Sequence, residues 1–265
     1  MTSKIALVTG SNQGIGFWIA KKLALNSIKV IVAARDSTRG EAAVKELEAE
    51  TKQSLDFVQL DISDHESVKN AAHAIQTKYG QIDILVNNAA IAINRDFSHE
   101  LFKTTFAPNY FGTLDVIDNF LPLIKKNGVI VNVSSQAGAL NILSSEDLKK
   151  QFSKEDITEQ ELKQLLSEYD AAILDGTYKE KGWPTTAYGA SKLFLTAHSR
   201  ALAHQDRLKS NGITIFACCP GWCKTNMAGF EKPPRTAEQG SEKAVELALG
   251  KVPNAISGHF YTSTN

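Results

Sequence analysis

The chain alternates short apolar runs with longer stretches of helical spacing, and this alternation limits its fold more than any other feature. The apolar runs are rich in Val, Ile and Leu and occur at residues 4–9, 29–34, 55–60, 82–87 and 128–133. The stretches with helical spacing lie between them, at residues 15–27, 37–51, 64–79 and 99–126. Apolar runs without polar alternation are typical of strands covered on both faces. The pattern therefore predicts a doubly wound α/β fold with a mostly parallel sheet.

The same pattern resumes near the C-terminal end of the sequence. It predicts a helix at about 186–209, a strand at 213–218, a helix at about 236–249 and a last strand at 258–261. Together with the earlier runs this makes seven strands, with helices on both faces of the sheet. At 265 residues the chain is long enough for one large core, so we expect a single domain over residues 1–265.

Residues 139–184 interrupt the alternation. They contain two runs that resemble helix caps, "SSED" at 144–147 and "TEQE" at 158–161, each followed by helical spacing. A disordered acidic loop is the alternative, but the segment carries apolar side chains to bury. These are Leu143, Leu148, Phe152, Ile157, Leu162, Leu165, Leu166 and Ile173. We therefore predict a helical insertion of two or three short helices laid on the outside of the sheet.

Composition excludes several classes of partner. The 29 basic and 29 acidic residues cancel, which gives no electrostatic reason to expect nucleic acid or a charged membrane. The three cysteines at 218, 219 and 223 are too clustered for a disulfide framework and lack partners for a zinc site, so we expect no metal and a reducing compartment. No apolar stretch approaches the roughly 20 residues that span a bilayer. We expect a soluble, cytoplasmic protein that binds small molecules.

The segment "LVTGSNQGIGFWIA" follows the first strand and begins the first helix. Gly10, Gly14 and Gly16 occur where a tight turn and a close backbone approach are needed. Backbone amides and a helix N-terminus in such a loop can face a pyrophosphate. The spacing G-x-x-x-G-x-G differs from the commoner dinucleotide pattern G-x-G-x-x-G, and a turn without a ligand is the alternative.

Tyr188 and Lys192 are four residues apart in "GWPTTAYGASK", so a helix would place both side chains on one face. With 6 tyrosines and 23 lysines in the chain, such a pair arises by chance about as often as not. The pair alone therefore does not separate an active site from a solvated helix face.

Five motifs that follow one another in the sequence carry a resemblance that distinguishes an active site from a solvated helix face. They are "TGSNQGIG" at 9–16, "NNAA" at 87–90, "NVSSQAG" at 132–138, "YGASK" at 188–192 and "PGWCKT" at 220–225. The chain thereby resembles the short-chain dehydrogenase/reductase family, which implies a Rossmann-type fold. Within that family, "ARDSTRG" at 34–40, "NYFGT" at 109–113 and "ACCPGW" at 217–222 are similar to monomeric NADPH-dependent carbonyl reductases, over essentially the whole chain.

The second strand ends in "AAR", where dehydrogenases that prefer NAD place an acidic residue. Arg35 and Arg39 can instead bind a ribose 2′-phosphate, so we expect NADPH as cofactor. The resemblance implies further cofactor contacts from Asn12, Ile15, Asp61, Ile62, Asn88, Tyr188, Lys192, Pro220, Gly221 and Thr225, beside the three loop glycines. Many NADPH-specific relatives carry a basic residue before the second loop glycine, whereas this chain has Gln13.

The resemblance also implies catalytic roles for Asn109, Ser135, Tyr188 and Lys192. Tyr188 is the expected general acid, and a lysine charge at about 5 Å would stabilise its phenolate by roughly 3 kcal/mol, which lowers its pKa. Ser135, rather than Ser134, is expected to hydrogen-bond the substrate carbonyl oxygen. Asn109 is expected to connect Lys192 to solvent through a water molecule. Because Pro108 lacks an amide hydrogen, we also expect it to interrupt the helix beside Asn109.

Substrate contacts are expected from Ser135, Tyr188 and Trp222, although Trp222 alternatively faces the core. The resemblance predicts an NADPH-dependent carbonyl reductase that acts on ketones, aldehydes or quinones. A reductase dedicated to one ring ketone of the terpenoid or alkaloid type and a non-catalytic NADPH-binding sensor are the alternatives. Relatives with an insertion at this place tend to be monomers, so a monomer is expected.

Overall fold

Seven parallel strands form the centre of the protein. A computed structural model describes residues 4–263, and the strands are β1 (Ile5–Thr9), β2 (Lys29–Ala34), β3 (Asp56–Gln59), β4 (Ile82–Asn87), β5 (Ile124–Val133), β6 (Thr214–Cys218) and β7 (Phe260–Tyr261). They pair in parallel in the order β3-β2-β1-β4-β5-β6-β7. The order reverses between β1 and β4, where doubly wound sheets bind ligands at the carboxyl ends of the strands. The predicted Rossmann-type fold is confirmed.

The helices cover both faces of this sheet. They are α1 (Gly14–Leu25), α2 (Ser37–Thr51), α3 (His65–Tyr79), α4 (His99–Phe106), α5 (Thr113–Phe120), α6 (Glu146–Ser153), α7 (Glu159–Leu174), α8 (Ala187–Ala203), α9 (Asp206–Lys209) and α10 (Ala237–Ala248). Successive residues of β1 point to opposite faces, so Leu7 joins one buried cluster while Ala6 and Val8 join another. Apolar packing on both faces explains why the strands lack polar alternation.

The helix predicted over residues 99–126 is too long, because β5 already begins at Ile124. It ends as α4 at Phe106, passes through a π-helical turn (Ala107–Gly112), resumes as α5 and ends in a short 3-10 turn before β5 begins at Ile124. The π-helical turn contains Pro108, which has no amide hydrogen for an α-helical bond, so the expected interruption is present. Similarly, the helix predicted at about 186–209 is divided into α8 and α9.

Residues 139–184, here called the insertion, fold as predicted into short helices on the outside of the sheet. The helices α6 and α7 follow two 3-10 turns, and each has a side-chain cap at its first turn. Their apolar side chains form one buried cluster with α4 and α8, in which Phe152, Tyr169 and Trp183 pack near Phe106 and Phe194. The insertion is thereby an extension of the core beside α8.

No helix in the described range 4–263 combines the length and the apolar composition that crossing a membrane requires.

Candidate active site

The glycine loop, residues 10–16, turns sharply between β1 and α1. Gly10 and Gly14 have left-handed backbone angles, with φ of 62° and 59°, which residues with a Cβ rarely adopt. A Cβ at Gly16 would overlap Nδ2 of Asn88 and lie 2.5 Å from the carbonyl oxygen of Gly10. The loop therefore needs glycine at these positions to keep its backbone close to the end of β4.

Asn88, directly after β4, holds the glycine loop in place. Its Nδ2 donates to the carbonyl oxygens of Thr9 at 3.0 Å and Gly10 at 3.2 Å. In return, the amides of Asn88 and Ala89 each donate to Thr9 Oγ1 at 3.0 Å. The loop is thus preorganised by its own side chains and backbone, so a pyrophosphate bound there would not have to order it.

A cleft with a volume of about 690 Å³ passes along this loop at the carboxyl edge of the sheet. It brings together most of the predicted site residues, namely Gly10, Asn12, Gly14, Ile15, Arg35, Arg39, Asp61, Ile62, Asn88, Tyr188, Lys192, Pro220 and Thr225. Gly16, Asn109, Ser135, Gly221 and Trp222 are outside its lining. The glycine-built cradle, with cations at one end and the Tyr-Lys pair at the other, fits a phosphorylated dinucleotide.

The two arginines at the end of β2 are not equivalent. Arg39 Nε lies 3.3 Å from Asp36 Oδ2, and the Asp36 carboxylate also accepts a hydrogen bond from the Arg39 amide as the cap of α2. Arg39 is therefore partly neutralised by its own helix cap. Arg35 is exposed at the cleft, and its carbonyl oxygen accepts a hydrogen bond from Gln59 of β3. Arg35 is the better placed cation for a 2′-phosphate.

Tyr188 and Lys192 both lie on α8, one turn apart. The Lys192 ammonium is buried, donates to the carbonyl oxygen of Val133 at 2.8 Å and lies 5.8 Å from the centre of the Tyr188 ring. The Ser135 side chain lies close enough to the Tyr188 hydroxyl to lower its pKa. The end of β5 and the first turn of α8 therefore bring all three groups together.

Ser134 and Ser135 have different surroundings. The buried Ser134 hydroxyl donates to the Lys192 carbonyl oxygen at 3.0 Å and lies 2.7 Å from Thr196 Oγ1, so it ties β5 to α8. The half-buried Ser135 hydroxyl accepts from the amide of Ala137 and faces Tyr188. Ser134 lines the cleft, whereas Ser135 lies beside Tyr188, so the choice of Ser135 as the residue that meets a substrate stays a prediction.

The expected lowering of the Tyr188 pKa by Lys192 is wrong for this structure. Burial raises the pKa of Tyr188, and the nearby Ser135 side chain offsets only part of this. Burial also lowers the pKa of Lys192 to about 8. A full lysine charge beside the phenol was expected, whereas Lys192 is buried with its ammonium directed to Val133, and Tyr188 is half-buried at the cleft.

Asn109 is fully buried in the π-helical turn, and both ends of its amide are used. Its Oδ1 accepts from the amide of Ile91 at 2.8 Å, and its Nδ2 donates to the Ile91 carbonyl oxygen at 2.8 Å and to Ser191 Oγ at 3.2 Å. The Ser191 hydroxyl in turn donates to the Tyr188 carbonyl oxygen. Asn109 therefore joins the segment after β4 to the catalytic helix.

The segment after β6 forms the remaining wall. Gly221 has a φ of 79°, and a Cβ there would lie 2.7 Å from Arg235 Cδ. Trp222 is 54% exposed, so the alternative that it faces the core is wrong. Sequence reasoning missed Asn226 and Met227, which also line the cleft. The only signal for them was their position directly after Thr225.

Comparison with known proteins agrees with this geometry. Residues 4–145 match the model of the short chain dehydrogenase family. The chain is 42% identical over 252 residues to Carbonyl reductase [NADPH] 1 of Homo sapiens, covering 92% of this chain and 90% of that protein. It is 40% identical over 265 residues to Carbonyl reductase [NADPH] 3 of Rattus norvegicus, covering 97% and 94%.

Two solved structures from plants share the whole fold. Salutaridine reductase from Papaver somniferum is 32% identical with a TM-score of 0.85, covering 97% of this chain and 99% of that one. Menthone neomenthol reductase from Mentha piperita is 31% identical with a TM-score of 0.82, covering 99% of both chains. The glycine loop, the Tyr-Lys pair and these relatives lead to one conclusion: the chain belongs to the short-chain dehydrogenase/reductase family.

Proposed function

We propose that this protein is an NADPH-dependent carbonyl reductase that reduces ketones, aldehydes or quinones to alcohols. The observation that carries the proposal is the Tyr188–Lys192 pair in the lining of a cleft that also presents Arg35, with Ser135 beside Tyr188. Relatives named as NADPH carbonyl reductases, at about two-fifths identity over nine-tenths of the chain, support the same activity.

Different residues of the cleft bind different parts of the cofactor in this proposal. The glycine loop faces the pyrophosphate, Arg35 binds the 2′-phosphate, and Asp61 with Ile62 borders the adenine. Lys192 binds the nicotinamide ribose, and Thr225 binds the carboxamide. NADPH bound there supplies the hydride for the carbonyl carbon.

Tyr188 is the general acid of this proposal. Because burial raises its pKa, the hydroxyl stays protonated at neutral pH and has a proton to donate to the substrate oxygen. Ser135 orients that hydroxyl and stabilises the developing charge on the oxygen. Lys192 adds a positive charge beside the phenolate once it forms, and Asn109 holds α8 in register with the segment after β4.

An exposed apolar side chain in the cleft lining favours an apolar carbonyl compound. Met227 lines the cleft and is 45% exposed, and Trp222 and Phe230, at 54% and 60% exposed, lie on the same segment after β6. A ligand that covers them would bury substantial apolar area. A reductase for one ring ketone is the second candidate, supported by the likeness to the two plant reductases. A sensor without catalysis is disfavoured because Asn109, Ser135, Tyr188 and Lys192 are all present.

A panel of carbonyl compounds assayed with NADPH tests the activity. We expect turnover of several aromatic ketones and quinones, and Tyr188→Phe to lower kcat by about 100-fold or more while NADPH still binds. Tyr178→Phe, the same change away from the cleft, is the matched control. Turnover of a single compound of the panel would favour the second candidate, and NADPH binding without any turnover would overturn the proposal.

Cofactor choice has a separate test at Arg35. We expect Arg35→Asp to raise the KM for NADPH far more than the KM for NADH, since the new carboxylate repels a 2′-phosphate but not a hydroxyl. Arg95→Asp changes an exposed arginine outside the cleft and serves as control. Equal effects on both cofactors would remove Arg35 from phosphate recognition.

We also propose that the chain is a single-domain monomer of the cytoplasm. The insertion packs on α4 and α8 and buries Phe102, Phe106 and Phe194 of those helices, so these side chains are covered without a second copy. All three cysteines are free, which suits a reducing compartment. A tetramer detected by light scattering would contradict the monomer.

A further inference from the structure

A side-chain bridge crosses the cleft between two segments that are far apart in the sequence. Asn226 Nδ2 donates to Gln13 Oε1 at 2.9 Å, a bond between residues 213 positions apart. Gln13 belongs to the glycine loop and Asn226 to the segment after β6, and both line the cleft. The bridge therefore connects the phosphate end of the site to its substrate wall.

Gln13 is positioned for this bridge rather than for its own helix. It stands directly before α1 with an extended backbone, φ −165° and ψ 167°, and its side chain makes no capping bond to α1. The residues next to the bridge, Gly14 and Thr225, are also close, because a Cβ at Gly14 would lie 3.4 Å from Thr225 Cγ2. The two segments thus leave room for little more than one methyl group beside the bridge.

The segment that carries Asn226 is otherwise bonded mainly to itself. The Thr225 amide donates to Gly229 at 3.3 Å, and the Ala228 amide donates to Thr225 at 3.2 Å. Within the described residues, the bond to Gln13 is the one hydrogen bond that links residues 225–229 to the glycine loop. Opening that single bond would release the tip of this segment from the loop.

We propose that the Gln13–Asn226 bridge is a latch over bound NADPH that sets how fast the cofactor leaves. A dinucleotide whose ends occupy the Arg35 and Tyr188 ends of the cleft must pass the point where the bridge joins both segments. Because both side chains are exposed neutral amides, the latch is weak and opens at every exchange of cofactor. This inference rests on the cofactor assigned in the proposed function.

The test measures NADPH dissociation by stopped-flow fluorescence without any carbonyl substrate. We expect Asn226→Ala and Gln13→Ala each to raise the dissociation rate about three- to ten-fold, as for loss of one hydrogen bond. The double variant Gln13→Ala/Asn226→Ala should be no faster than either single variant, since both remove the same bond. Lys232→Ala, an exposed residue of the same segment outside the cleft, is the control and should release NADPH at the wild-type rate.

A charged replacement of the latch provides the second arm. Gln13→Lys/Asn226→Asp exchanges the amide bond for an ion pair, so slow release should return and become sensitive to salt. Additive single effects, an unchanged rate in Asn226→Ala, or fast release by this charged pair would each overturn the latch. Because no carbonyl compound is present, a chain that shows the latch but reduces nothing would contradict the proposed function alone.

Discussion

The glycine loop and the insertion are each held together, but by opposite means. The loop depends on glycines, whose lack of a Cβ leaves room for Asn88 and for close backbone contacts. The insertion depends on large side chains, with Tyr169 stacked on Trp183 at 4.9 Å and Phe152 edge-on to Phe194 at 5.0 Å. One region is damaged by adding a methyl group and the other by removing a ring.

This difference separates affinity from stability. The loop is small and borders the cleft, so its distortion changes what binds. The insertion buries a cluster that includes Phe152, Tyr169 and Trp183, and none of these three residues lines the cleft. Loss of this cluster should therefore change how well the chain folds. Substitutions of matched size should therefore move different observables in the two regions.

Phe152→Ala should have the largest effect. Phe152 is 1% exposed among Trp183 and Phe194, and truncation of such a ring costs about 3–5 kcal/mol of unfolding free energy. Urea denaturation measures it, while the NADPH dissociation constant of the folded fraction should remain unchanged. Leu174→Ala in the same insertion, at a 65% exposed position, is the control and should stay within about 0.5 kcal/mol. A loss of NADPH affinity in Phe152→Ala would break the separation.

Gly16→Ala should weaken NADPH binding by about 100-fold, or nearly 3 kcal/mol. The added methyl displaces Asn88 and the Gly10 carbonyl, which together hold the loop backbone toward the cofactor. Isothermal titration with NADPH gives the affinity. The matched control is Gly176→Ala, where φ is 80° and no atom lies within 4 Å, so the variant should lose about 1 kcal/mol of stability and no affinity. Equal NADPH affinities in the two variants would contradict the role of Gly16.

The parts of the site predictable from sequence are those where chemistry restricts the residue type. A left-handed turn or a close backbone approach requires glycine. Gly10 and Gly14, with positive φ, and Gly16, which packs against Gly10 and Asn88, were therefore readable from the sequence. The doubly wound, mostly parallel sheet followed from apolar runs that need cover on both faces. The catalytic pair became readable only beside the other ordered motifs, and its roles remain predictions.

The parts that escaped prediction depend on contacts between distant segments. An interruption at Pro108 was predicted, but sequence spacing did not indicate the π-helical turn that lets Asn109 reach Ile91. The raised pKa of Tyr188 results from burial by elements that sequence spacing does not specify. The bridge from Gln13 to Asn226 joins residues whose types suit any exposed loop. Local patterns carry no information on such pairs.

Lys192→Met should stabilise the protein by about 2 kcal/mol while it removes catalysis. Lys192 lies on α8 between the two regions, and burial lowers its pKa from 10.5 to about 8, so the folded state holds its proton less tightly than the unfolded state. Stability of the wild type therefore rises as pH increases from about 8 towards 10.5. Thermal unfolding across this range should show the advantage of the variant shrinking, and a constant difference would contradict a buried ammonium. Lys251→Met at an exposed position provides the baseline.

Glu159→Gln should have the smallest effect, about 1 kcal/mol, because the polar edge of the insertion adds little to its aromatic cluster. His198 of α8 donates to Glu159 at 2.9 Å, and Arg207 lies 3.4 Å from the same carboxylate. The hydrogen bond with His198 is the largest cause that lowers the Glu159 pKa to about 2. A carboxylate with a lowered pKa stabilises the fold above its usual 4.5, and that contribution is lost as pH falls towards 2. Urea midpoints of wild type and variant should therefore differ at pH 7 and converge in acid, whereas exposed Glu180→Gln should match the wild type throughout. A loss at pH 7 as large as that of Phe152→Ala would show that ionic contacts, rather than rings, attach the insertion to α8.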